Sequence, residues 1–234
     1  METGSRRLSG TGGSPTVAPT MPRAVSRRAL TLPARALKII KEYKAFNNLQ
    51  LRAAVREYFE NRVLCELRHG KINTWDVSHV TDMSSLFANY SGGQDPRAFN
   101  GDISAWDVSS VTTMSDMFMG CTAFNSDISG WKTSSVTSMS RTFGLCSSFN
   151  QDVGRWDVSS VTNGGMQYIL SGCRSFRQDL RRWKPKSLLY HYNPVGGTLI
   201  DAATQLPPWM QKIYGWSPGT GCTWPRVPHE QLNP

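Results

Sequence analysis

Four aspartates recur at intervals of 25, 25 and 27 residues: Asp102, Asp127, Asp152 and Asp179. Two positions before each stands a polar side chain, Asn100, Asn125, Asn150 or Arg177. Carboxylates and amides in register are oxygen donors of the kind Ca²⁺ takes, about six to eight at a time. A carboxylate at a turn has a second use, as acceptor for backbone N–H groups nearby. No glycine-rich calcium-loop pattern accompanies these residues, so they are read as turn acceptors and no metal is expected. The same Asn and Asp columns are the first candidate surface for a partner. Cys121, Cys146 and Cys173 also share one repeat position, with Cys65 and Cys222 outside it. Neither a Cys-x-x-Cys pair nor a nearby histidine completes a zinc set, so the column reads as small buried thiols. His69, His79, His191 and His229 are scattered, and no phosphate loop or dinucleotide fingerprint is present. No reaction and no cofactor are predicted, and the chain is not read as an enzyme.

The elements that must position these residues are written four times. Units open at Trp75, Trp106, Trp131 and Trp156, and the second reads WDVSSVTTMSDMFMGCTAFNSDISG. A fixed period of this length means stacked units that bury their apolar positions against one another. In the second unit those positions are Trp106, Val108, Val111, Met114, Met117, Phe118, Cys121, Phe124 and Ile128. Met114 to Cys121 follows an i, i+3, i+4, i+7 spacing, which predicts a short helical segment. Phe124 to Ser129 alternates, which predicts a strand with Asn125, Asp127 and Ser129 on its wet side. The Trp column is read as core or corner packing rather than as a stacking platform for a ligand.

The pattern WDVSSVT-x-M-S-x-MF-x-GC-x-x-FN-x-DIS resembles the repeat of the BspA-like leucine-rich-repeat family, including the variant in mycoplasma surface proteins. The resemblance covers residues 72–183. It implies an α/β repeat solenoid, a short leucine-rich-repeat-like stack of about four coils, and a binding role without catalysis. It names no ligand and carries over no catalytic residue. The chain departs from the pattern in its few repeats, in an insert around Ser91–Pro96 and in its dissimilar ends.

Charge is unevenly placed. Residues 1–70 hold 13 Lys/Arg against 5 Asp/Glu, and residues 71–183 hold 9 against 10. Residues 1–33 read as a disordered basic arm, rich in Ser, Thr and Pro. Residues 34–70 read as a helical N-terminal cap, broken at Asn47–Asn48 and stopped at Gly70. Residues 71–183 form the repeat region, and 184–234 a degenerate last coil with a Pro/Trp-rich tail. Trp209, Trp216 and Trp224 either cap the last coil or dock on a partner. No apolar run is long enough to span a membrane and no secretory h-region is evident, so an intracellular location is expected. The leading functional reading is a protein-protein interaction module or scaffold subunit of a larger assembly. The alternatives are a cell-surface adhesin and a nucleic-acid or ribosome-associated protein acting through the basic arm.

Overall fold

In a computed structural model, residues 45–88, 95–187, 194–200 and 205–213 are described. The basic arm, the helical expectation over 34–44, residues 188–193 of the degenerate last coil, Trp216 and Trp224 lie outside them.

Two helices precede the repeats. α1 spans Asn48–Glu60 and α2 spans Arg62–His69. Asn47 starts α1 with a reciprocal capping box: its side chain accepts from the Gln50 N–H, and the Gln50 side chain accepts from the Asn47 N–H. Asn61 ends α1 through its N–H to the Glu57 carbonyl and caps α2 by accepting from the Leu64 N–H at 3.0 Å. The sequence reading placed no break at Asn61. Gly70 closes α2 with φ of 77°, a left-handed conformation that glycine adopts without steric cost. Beyond the break, Val63 and Leu67 of α2 face outward, 72% and 59% exposed.

All nine apolar positions of the second unit are buried, none more than 3% exposed. Equivalent rings stack between units, Phe87–Phe118–Phe143 at 5.3 and 5.6 Å and Phe99–Phe124–Phe149–Phe176 at 5.9 Å each. Offset-stacked rings at such distances add to the area they bury. From the second unit on, each opening tryptophan's indole N–H reaches back past one whole unit, to the carbonyl three residues before the preceding tryptophan: Trp106 to Ile72, Trp131 to Ile103, Trp156 to Ile128 and Trp183 to Val153. The third unit replaces two apolar positions with Thr133 and Thr142. Both are buried and both hydroxyls donate to backbone carbonyls, so the exchange leaves no orphaned donor.

The local conformation differs from the sequence expectation. The stretch Met114–Gly120 is a succession of turns, not a helix. Alternate N–H groups leave the unit: Met114 donates to Ser138, Asp116 to Ser140, Phe118 to Thr142 and Gly120 to Gly144. The intervening Met117, Met119 and Cys121 close turns onto the carbonyl three residues back. Positive φ at Asp116 (60°) and Gly120 (80°) redirects the chain every few residues, so the i→i−4 ladder of a helix never starts. The i, i+3, i+4, i+7 spacing is therefore met by turns. The strand expected over Phe124–Ser129 is also absent. Among the described residues the only bridges are isolated parallel ones, Asp82 with Thr113 and Thr113 with Ser138.

Candidate functional site

The Asn column is a register clamp. Asn100 Oδ1 accepts the backbone N–H of Asn125 at 2.9 Å, Asn125 Oδ1 that of Asn150 at 2.9 Å, and Asn150 Oδ1 that of Arg177 at 3.0 Å. Side chains thus do between units what a sheet ladder would do with carbonyls. The next position adds Gln151 and Gln178 amides, donating to the Asn125 and Asn150 carbonyls.

Apart from the Asn73 amide, which donates to Asp102 at 3.4 Å, the Asp column works within its own unit. Asp102 Oδ1 accepts from the Ser104 N–H and hydroxyl at 3.1 and 2.7 Å, and Asp127 from Ser129 at 2.9 and 2.7 Å. Asp152 takes the Gly154 N–H, and Asp179 takes the N–H and guanidinium of Arg181. These are Asx turns. The serine hydrogen bonds hold the Asp102 and Asp127 carboxyls below their ordinary range, and the Arg181 bonds do so for Asp179. Among the described residues no group of three His, Cys, Asp or Glu side chains converges as a metal set would.

The cysteines form a third column. Cys121, Cys146 and Cys173 are buried free thiols whose Sγ atoms donate to the carbonyls of Phe87, Phe118 and Phe143. Burial pushes the Cys121 thiol up to about 12 and raises Cys146 and Cys173 as well. A thiolate is the nucleophile and the metal ligand, so these groups are inert at neutral pH.

Trp209 does not stand free. It lies in α3, Pro208–Ile213, and its indole donates to the Trp183 carbonyl at 2.8 Å. Leu206 and Met210 beside it are buried, and the Leu180 N–H donates to the Gln205 carbonyl. Of the two roles open to this tryptophan, packing on the end of the stack is the one the contacts describe. At the other end α1 supplies substitutes for a missing unit. Asn48 Oδ1 accepts from the Thr81 and Asp82 N–H groups at 2.9 and 3.3 Å, and Arg52 donates to the Ser84 carbonyl at 2.6 Å.

Two of the predicted surface residues, Asn100 and Asp102, line a concave feature. A groove of about 600 Å³ lies between the helices and the first unit, lined in part by Tyr58, Phe59, Phe99, Asn100 and Asp102. Tyr58 and Phe59 are not among the predicted site residues. Their adjacency to the Asn and Asp columns depends on how α1 docks, which no spacing encodes. Asn125, Asp127, Asn150, Asp152 and Asp179 do not line this groove.

Residues 53–183 match the family described as Mycoplasma protein of unknown function, DUF285. The chain belongs to that family. The match starts inside α1 and ends at Trp183, so it takes in the four units together with most of the helical segment. No curated protein and no solved structure matches the chain. No helix among the described residues is long and apolar enough to cross a membrane.

Proposed function

We propose that this DUF285 chain is a non-catalytic protein-interaction module, a short leucine-rich-repeat-like solenoid of about four coils that serves as a scaffold subunit of a larger assembly. We take its repeat to be of the BspA-like kind. The observation that carries this reading is the 25-residue register of bonds between units, which sets exposed positions in columns over a rigid frame. Side chains that vary within a column can then specify a partner while the buried positions keep the frame. Tyr168, 42% exposed, is an aromatic anchor of the kind interfaces use, and Leu145 on the preceding unit, 56% exposed, adds apolar surface. The described cysteines are all buried free thiols, which supports an intracellular, reducing location.

The test is affinity purification of the native protein with mass spectrometry, at low and at high salt. A stoichiometric protein that survives high salt and is lost from Leu145→Glu/Tyr168→Glu supports the module. Recovery of nucleic acid alone, or of no partner, overturns it.

A further inference from the structure

The near-zero charge of the repeat region conceals a strong polarity. Residues 71–130 hold two Lys/Arg against seven Asp, a net of −5. Residues 131–187 hold nine against three, a net of +6. The repeat supplies its own control for what this means. At the position of Asn100, Asn125 and Asn150 the last unit has Arg177. Where the second and third units have Thr122 and Ser147 it has Arg174. Ala105 and Gly130 are followed in their column by Arg155, which closes the third unit, and by Arg182, and the column Asp76, Asp107, Lys132, Asp157 ends in Lys184. Cations therefore enter these columns in the third unit and are densest in the last unit and just beyond it.

Stacking does not require those cations. Arg177 keeps its unit in register through its backbone, the N–H donating to Asn150 Oδ1 and the carbonyl accepting from Gln205 at 2.5 Å. Arg155, Arg174, Arg177, Arg182, Lys184 and Lys186 are all exposed. Among the described residues none of the six makes an ion pair, and the pair on this edge is Asp179 with Arg181. Asp179 also feels Arg182 through space.

We infer that this edge of the last unit is a binding site for the phosphodiester backbone of a nucleic acid. Four of its six cations are arginine, whose planar fork matches phosphate oxygens two at a time. Five of the six are spread over exposed positions from 174 to 186, around the Asp179–Arg181 pair, and Arg155 stands one unit behind Arg182, an extended array suited to a linear polyanion rather than to a single anion. The site is separate from the N-terminal basic arm, and it goes beyond the protein-binding reading without depending on it.

The experiment uses the full chain, arm included, with labelled oligouridine and a labelled DNA duplex as probes and polyglutamate as competitor. Anisotropy is followed between about 50 and 200 mM salt. Single-strand binding loses about 0.7 in the slope of log K against log salt for each phosphate contact removed. Arg174→Gln/Arg177→Gln/Arg182→Gln is therefore expected to flatten the slope by about 2 and to weaken binding about tenfold or more. The relative response of the two probes separates single strands from duplex as the source of the phosphates. Photo-crosslinks of the unaltered chain should fall on peptides from 174–186, which keeps the test independent of how well the variant folds. An unchanged slope, with crosslinks confined to residues 1–33, overturns the inference. So does polyglutamate competing as well as oligouridine at equal charge, which assigns the stripe to an acidic protein.

Discussion

At the scale of single residues, polar side chains in this family member replace missing backbone partners. Asn125→Ala leaves the Asn150 N–H without its acceptor. The expected loss is about 1–2 kcal/mol, read as a lower urea midpoint at unchanged slope. Leu145 makes the opposite case. It holds φ of 63° at a position where Gly120 and Gly172 stand in neighbouring units. A bulky residue there costs about 1 kcal/mol or more in backbone strain. Leu145→Gly is therefore expected to hold or raise the melting temperature, whereas the same exchange at a buried position would lower it. The carboxylates set an acid limit. Serine hydrogen bonds hold Asp76, Asp102, Asp107, Asp127 and Asp157 below the ordinary 3.8. Their contribution is complete above that value and fades as pH falls through the lower folded values. Melting temperature should hold down to about pH 4 and drop below it, a course that thermal scans in a pH series would trace.

At the scale of elements, the sequence period announced which residues are buried but not how the backbone turns. Apolar spacing reports the side of the chain that meets the core. Both a helix and a run of turns satisfied the spacing from Met114 to Cys121, and the positive φ of Asp116 chose between them. Aspartate tolerates that conformation without announcing it, so no residue type flagged the choice. The strand expected at Phe124–Ser129 failed for a related reason. Its alternation is real, since Phe124 and Ile128 are buried, but its links to the neighbouring units run through Asn and Ser side chains. The candidate columns were legible as columns, and their employment in holding the stack was not. Close approach between units gives a direct test. A Cβ on Gly154 would sit against the Asp179 carbonyl. Gly154→Ala should cost about 3 kcal/mol, measured by denaturant unfolding, while the open Gly130 position tolerates the same change.

At the scale of the whole molecule, the ends decide how the stack closes. Asn48 and Arg52 occupy one edge and Trp209 the other. Asn48→Ala is expected to speed amide exchange at Thr81 and Asp82 first and to leave the central units protected, as nearest-neighbour stability requires. Because the Asn acceptor and the indole donor recur from one central unit to the next, a second copy of residues 131–155 inserted after Arg155 should fold and raise the unfolding slope in proportion to the added surface. The aromatic stacking has a separate, optical consequence. The indoles of Trp75 and Trp106 lie 6.2 Å apart at 17°, and those of Trp131 and Trp156 lie 6.0 Å apart at 11°. Near-parallel chromophores so close share their excitation. Their ultraviolet absorption is thereby reduced while they stay stacked and rises when they part, a label-free signal of whether two particular turns of the stack are still in step.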